Sequence, residues 1–344
     1  MLKNNPHRPV ILWLLSGCFL TYLMVVIGCI TRLTHSGLSI TDWSVMGSIP
    51  PMSAEVWQEH FSRYQQSPEY QQINTGMSLE EFKSIFFWEY LHRFIGRLIG
   101  GVFIIGFTWF LVKKKITRTL LPKMMVLVAL GALQGLIGWW MVKSGLVNNP
   151  AVSHFRLATH LMSAFTVFAF TFWYALQLIY PRENNVASQG EKLHTSVVVL
   201  FVALIFQIIY GAFVAGLKAG LFYPTWPKMG NEWFPADTIL TSGSLIKDFM
   251  ENGAGVQFIH RTFAFVVVAL VAWVWIRSNK LQLNKQQNRG VTFLIYGITV
   301  QFLLGIATLL YGVPVILGVL HQTGAFFLFA SCVYLMYHLK LKRI

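Results

Sequence analysis

Four of the ten histidines stand well inside long apolar runs, away from their ends, where an ionisable side chain is costly and marks function by default. His92 lies in EYLHR (Glu89 to Arg93), His160 in RLATHL (Arg156 to Leu161), His260 in QFIHR (Gln257 to Arg261) and His321 in LGVLHQ (Leu317 to Gln322). EYLHR aligns with QFIHR, and His160 pairs with His321, so each half of the chain holds two. One such histidine is readily explained as a hydrogen-bonded packing residue. Four at related positions are not.

Two imidazoles facing each other inside a four-helix bundle suit a metal with two axial nitrogen ligands, which is the chemistry of haem. Zinc takes a third or fourth ligand and favours thiolate or carboxylate partners, whereas the neighbours here are mostly Phe, Leu, Ala and Gly. Arg93, Arg97, Arg156 and Arg261, near the same helix ends, are candidates for pairing with haem propionates. Snorkelling to lipid headgroups is the competing use of these side chains. The halves differ at one place: Glu89, three residues before His92 and on its helix face, has the neutral Gln257 as its counterpart before His260. A buried carboxylate shuttles protons, stabilises a carbocation or positions water, or serves as the structural partner of Arg93. A carboxamide only hydrogen-bonds, so the two sites are expected to do different work.

The elements that position these residues follow from composition. The 344 residues are 55% hydrophobic and 12% charged, with mean hydropathy +0.55. Soluble domains carry about 25% charged residues, so a water-facing surface is excluded, and disorder with it. Eight apolar segments, 10–30, 88–112, 121–142, 153–180, 193–215, 254–276, 290–311 and 313–339, are each near or above the length that crosses about 30 Å of hydrocarbon. The last two, broken at Gly312-Val313-Pro314, are expected to form a helical hairpin. Behind the basic MLKNNPHRP the first run reads as a retained helix, not a cleaved signal. Cys18, Cys29 and Cys332 sit in apolar runs without paired spacing and read as small hydrophobes.

With eight spans both termini share a side. Sixteen of the 27 Lys and Arg fall there against Glu183 and Glu191 only, which makes that side the cytoplasm. The other side carries two long loops, 31–87 and 216–253. Its eleven basic and eleven acidic residues cancel, so the net charge of +14 is an orientation signal. Anionic headgroups are its expected partners, and nucleic acid is removed from consideration. The four histidine-bearing helices then start on the outer side, with each histidine within about ten residues of its helix start.

The halves are also related by fixed offsets. Gly28, Gly37, Trp43, Met46 and Gly47 map by 183 onto Gly211, Gly220, Trp226, Met229 and Gly230. Gln134, Gly138 and Gly145 map by 167 onto Gln301, Gly305 and Gly312. The expected fold is therefore an all-α polytopic membrane protein, eight transmembrane helices arranged as two tandem four-helix bundles in a parallel repeat. The bundles are expected over 1–185 and 186–344.

These residues also carry a family resemblance. GCITRLTHSGLSITDW (Gly28 to Trp43), Pro50-Pro51, PEY (Pro68 to Tyr70), EFKSIFFWEYLHRFIGR (Glu81 to Arg97), FRLATHL (Phe155 to Leu161), YPTWPKMG (Tyr223 to Gly230), FIHR and LHQTGA resemble the haem A synthase family of respiratory membranes. The resemblance covers essentially the whole chain. It implies oxidation of the C8 methyl group of haem O, through an alcohol and a gem-diol that dehydrates, to the formyl group of haem A for terminal cytochrome oxidase. Water is the implied oxygen source. It implies haem b as cofactor between His260 and His321 in the C-terminal bundle, and the haem O substrate between His92 and His160 in the N-terminal one. Glu89 matches the family's required glutamate. The implied setting is a bacterial inner membrane with the haem sites toward the non-cytoplasmic side. Haem O synthase and cytochrome oxidase assembly factors are implied candidate partners, with the electron acceptor left open.

The chain departs from part of the family in having no cysteine between Thr31 and Phe87, so a redox step assigned to a loop cysteine pair cannot operate here. His35, within TRLT-SGLS, reads as a loop residue. Of the rival classes, a bis-histidine electron-transfer cytochrome without substrate chemistry fits the four histidines but not the Glu89/Gln257 asymmetry. A transporter is expected to place its polar groups at the midplane. A haem-modifying prenyltransferase needs Asp-rich diphosphate sites that this chain lacks.

Overall fold

The computed structural model describes residues 5–41, 50–145, 150–180 and 189–339. Among these residues it is helical throughout, without strands. The twelve helices are α1 (Arg8–Leu33), α2 (Ala54–Gln65), α3 (Pro68–Gln72), α4 (Leu79–Val112), α5 (Leu121–Lys143), α6 (His154–Ile179), α7 (Glu191–Gly216), α8 (Ala236–Ile239), α9 (Leu245–Met250), α10 (Gly253–Ser278), α11 (Lys285–Leu310) and α12 (Val315–Leu339). Eight of them, α1, α4 to α7 and α10 to α12, are long and apolar enough to cross a membrane, matching the eight expected segments. Large apolar side chains such as Ile105, Val112, Leu303 and Ile316 point outward, as lipid-facing residues would. Trp43, Met46 and Gly47 of the repeat, and Lys3, Arg182, Glu183, Lys340, Lys342 and Arg343 of the charge count, lie outside the described residues. By internal packing the chain divides into Met1–Leu15 with Phe168–Ile344, and Ser16–Val167.

Within Ser16–Val167 the long first loop is largely helical. Phe61 and Tyr64 of α2 pack on Phe82, Ile85 and Phe86 of α4, with Ile40 in the same cluster. The Tyr64 and Phe82 rings stack at 5.1 Å between centroids. This packing explains why α4 begins at Leu79, ahead of the apolar run at 88. Its first turns are amphipathic, and Ser78 with Glu81 closes a capping box at the start. His92 therefore lies 13 residues beyond Leu79, deeper along its helix than the sequence suggested, whereas His160, His260 and His321 fall within the first two turns of α6, α10 and α12. Under the cluster the Tyr64 hydroxyl donates to the buried Glu69 at 3.1 Å and accepts from Asn74 Nδ2 at 2.7 Å. Burial pushes that hydroxyl above the ordinary tyrosine range, so it stays a proton donor.

Within Phe168–Ile344, α7 buries Leu193, Val197, Leu200, Leu204, Ile208 and Ala212, one stripe at three- and four-residue spacing. It packs against α10 and α12, and α11 packs against α12 and α10. The expected hairpin is present. Gly312 (φ 70°) and Val313 (φ 57°) turn the chain in the left-handed region, and their N–H groups return to Leu309 O (3.1 Å) and Thr308 O (2.8 Å). A β-branched residue there is strained by on the order of 1–3 kcal/mol. The second long loop holds α8 and α9 and ends at Asn252. The Oδ1 of Asn252 accepts from Ala254 N (2.8 Å) while its Nδ2 donates to Thr238 O (2.9 Å), so one side chain starts α10 and fastens the loop to it.

Asn252→Ala removes a helix cap and a loop tether together, whereas Ser78→Ala removes only an exposed cap. Thermal unfolding in detergent is expected to show a loss of about 1–2 kcal/mol for the first and roughly half of that for the second.

Candidate functional site

Each of the four histidines has a glycine opposite it on the preceding membrane helix. A Cβ on Gly28 of α1 would stand 3.3 Å from His92 Nε2, and one on Gly138 of α5 would stand 2.9 Å from His160 Cε1. In the other half the distances are 3.2 Å from Gly211 of α7 to His260 Cε1 and 3.0 Å from Gly305 of α11 to His321 Cε1. These glycines are pairs under the offsets 183 and 167. The missing side chain lets the imidazole lie against the neighbouring backbone instead of being levered off it.

The ring centres of His260 and His321 are 6.5 Å apart with their planes at 86°. A metal bonded to one nitrogen of each ring at roughly 2.0–2.1 Å sets the centres about 6 Å apart, so this pair is spaced to share one metal centre. His92 and His160 lie within electrostatic reach of each other. Among the described residues no group of three or more His, Cys, Asp or Glu is placed to hold a bare metal ion. Two imidazoles alone would not complete the coordination of a metal, so its remaining donors would come with the bound group. The buried Nδ1 atoms of His160 and His260 have no hydrogen-bond partner.

Beside His92, Glu89 is 2% exposed and fully engaged. Ser39 Oγ (2.7 Å) and Ile40 N (2.9 Å) donate to Oε2, and Arg93 donates to Oε1 through Nη2 (2.6 Å) and Nε (3.1 Å). Arg93 Nη2 also donates to Ile40 O at 3.1 Å. The carboxylate thus holds the segment that follows α1 against α4. Gln257, also 2% exposed, reaches the corresponding backbone, since Ile40 plus 183 is Tyr223. Its Nε2 donates to Gly220 O (3.4 Å) and Tyr223 O (3.3 Å). Arg261 donates to the carbonyls of Tyr223 (3.4 Å), Thr225 (2.7 Å), Pro227 (3.2 Å) and Lys228 (3.1 Å). One site therefore presents a charged acceptor and the other a neutral donor, on matched positions.

The remaining candidates are placed as follows. Arg156 lies 4.4 Å over the Trp140 ring and donates to the Trp140 carbonyl at 2.8 Å. Arg97 is half-buried on α4, one turn beyond Arg93. His35 is exposed in the left-handed turn that ends α1 (φ 54°). Sequence reasoning missed Ser39 and Ile40 as partners of Glu89. The offset 183, carried on from Gly37 and Gly220, pairs Ile40 with Tyr223 but ties neither of them to Glu89 or Gln257.

A family model described as cytochrome oxidase assembly protein, COX15-CtaA, matches residues 11–333. A protein of Flavobacterium johnsoniae named Heme A synthase is 48% identical over 343 residues, covering 98% of this chain and 99% of that one. Proteins with the same name from Nitrosospira multiformis and Wolbachia pipientis are 43% and 38% identical, each covering at least 97% of this chain and 93% or more of their own length.

Glu89→Ala leaves Arg93 without its carboxylate and the Ile40 N–H without an acceptor. The Arg93 side chain is 19% exposed, which lowers the penalty of a buried broken pair to about 2–3 kcal/mol of local stability. Limited trypsinolysis at Arg63 is expected to be faster in this variant, while Gln257→Ala leaves cleavage there at the wild-type rate.

Proposed function

The chain belongs to the COX15-CtaA family of cytochrome oxidase assembly proteins, and from that premise we propose that it is a haem A synthase. It oxidises the C8 methyl group of haem O to the formyl group of haem A. The observation that carries this reading is the buried Glu89 carboxylate beside one histidine pair, with Gln257 in its place beside an otherwise matched pair. A protein that only relays electrons between two haems has no use for that difference.

In this reading residues 1–185 form the substrate bundle and 186–344 the cofactor bundle, two copies of one four-helix unit. His260 and His321 hold haem b. Their spacing fits a shared metal, and the Gly211 and Gly305 contacts leave room for the rings. Haem b, when bound, supplies one-electron exchange toward the acceptor. His92 and His160 hold the substrate haem O and so set where its methyl group lies. Each of the two oxidations, methyl to alcohol and alcohol to gem-diol, takes oxygen from water and releases two electrons and two protons. The gem-diol then loses water to give the formyl group. Glu89, paired with Arg93, is the group that takes up a proton released near the ring edge or stabilises positive charge developing on the methyl carbon. Arg93 and Arg261 clamp the outer segments, which leaves Arg97 and Arg156 as the candidates among the four arginines for the propionates.

We place both termini in the cytoplasm and both sites toward the opposite face of a bacterial inner membrane, from the distribution of Lys and Arg. Haem O synthase on the supply side and oxidase assembly factors on the delivery side are the partners this activity calls for.

The test is production of haem A in cells that make haem O but have no other route to haem A. His92→Ala, His160→Ala and Glu89→Gln are expected to lower haem A at least about 100-fold while the purified protein keeps its haem b spectrum. His260→Ala and His321→Ala are expected to lose that spectrum. Full haem A production by Glu89→Gln, with haem b intact, removes the catalytic role of the carboxylate.

A further inference from the structure

The end of α1 and the turn after it differ from their counterparts in one further way. Thr31, Thr34, Ser36 and Ser39 map by 183 onto Val214, Leu217, Ala219 and Phe222. Each hydroxyl in the half that holds Glu89 is thus an apolar side chain in the half that holds Gln257. The turn itself does not need the hydroxyls. His35 and its counterpart Lys218 are both left-handed (φ 54° and 52°), and their N–H groups return to Arg32 O and Ala215 O, each at 3.3 Å. Thr31 and Thr34 also bond back to Ile27 O (2.9 Å) and Ile30 O (2.8 Å), a common habit of helix hydroxyls. That habit leaves Ser36 and Ser39 unexplained. Both are buried, and a turn of the same shape does without them.

The hydroxyls form a row that leads outward from Glu89. Ser39 Oγ lies 2.7 Å from Glu89 Oε2 and 3.3 Å from Ser36 O. Ser36 Oγ lies 2.7 Å from Thr34 Oγ1, and Thr34 is partly exposed beside the exposed His35. A hydroxyl both donates and accepts, which Arg93 and the Ile40 N–H, the other partners of Glu89, cannot do. While Glu89 is ionised, Ser39 donates to Oε2. Once Oε2 carries a proton, it donates to Ser39 Oγ, and the Ser39 hydrogen turns toward Ser36. We propose that Ser39, Ser36 and Thr34 carry the protons taken up by Glu89 to the outer surface. Each transfer moves one proton and no electron. Oε2 gives its proton to Ser39, and Ser39 gives its own to a water bonded between it and Ser36. The Ser36 and Thr34 hydroxyls pass one proton on to solvent, and Glu89 is left ionised for the next release. The matched apolar row has no proton to carry, because the Gln257 carboxamide does not titrate. This inference rests on the haem A synthase reading made above.

The test uses membranes from cells that make haem O, carry the full-length protein and have no other route to haem A. It reads the rate of haem A formation in water and in deuterium oxide. Ser36→Ala keeps the Ser36 carbonyl and every hydrogen bond to Glu89. It is expected to slow haem A formation about tenfold, short of the roughly 100-fold set by loss of an acid–base group itself, and to raise the ratio of the two rates. Thr34→Val, of the same size without the hydroxyl, is expected to do the same and serves if Ser36→Ala does not fold. Thr34→Ser, smaller but hydroxylated, is expected to restore the rate and the ratio, whereas a packing role predicts the reverse order for Val and Ser. Wild-type rates in Ser36→Ala and Thr34→Val, or slower rates with an unchanged ratio, overturn the proton row alone. Absence of haem A from wild-type membranes that contain haem O overturns the synthase reading, and this inference with it.

Discussion

For two imidazoles to face one another across a helix bundle, each ring has to fit between its own helix and the next without being levered off axis by a facing side chain. That steric constraint organises this protein. Gly28, Gly138, Gly211 and Gly305 remove the obstructing Cβ at the four places where an imidazole lies against a neighbouring backbone. The helices are then free to be apolar almost everywhere else, because the polar work of the interior is concentrated on a few groups. Glycine inside a helix weakens it by roughly 0.5–1 kcal/mol relative to alanine. In long membrane helices with all other backbone groups paired internally, that loss is small beside the benefit of a correctly seated ligand.

The second organising feature is the way the histidine-bearing helices hold the outer segments. In each half an arginine one residue after the histidine donates to the carbonyl of Ile40 or Tyr223, and a side chain three residues before it binds the same stretch. The architecture of the clamp is shared while its polarity is inverted. Glu89 accepts from N–H and O–H groups, and Gln257 donates to carbonyls. Around Gln257 the local backbone presents oxygens where around Glu89 it presents a donor. The two sites differ as whole hydrogen-bonding environments, not as single residues.

Much of this was legible from residue type and spacing. Eight spans follow from hydropathy and length, the hairpin at Gly312-Val313-Pro314 from its breaker residues, and the four histidines from the cost of placing them in apolar runs. What was not legible is the set of contacts between distant parts of the chain. The grip of Glu89 on Ser39 and Ile40 spans about fifty residues and leaves no periodic trace. The folding of α2 and α3 onto the start of α4 is hidden because α2 is a short, mostly polar helix that becomes recognisable only through the buried faces of Phe61 and Tyr64. The depth of His92 along α4 was misjudged for the same reason, since the hydropathy signal begins after the amphipathic turns that the outer cluster covers.

The Arg261 clamp has a bearing on what kind of object the second outer loop is. Carbonyl oxygens of Tyr223, Thr225, Pro227 and Lys228 converge on one guanidinium, much as oxygens gather around a cation in a crown ether. Convergent carbonyl dipoles repel one another, so positive charge supplied from outside the loop stabilises this curl of backbone beyond its own Thr225 hydrogen bonds. Its conformation belongs to α10 as much as to its own residues, and the chain here acquires its shape by being wrapped around a charge.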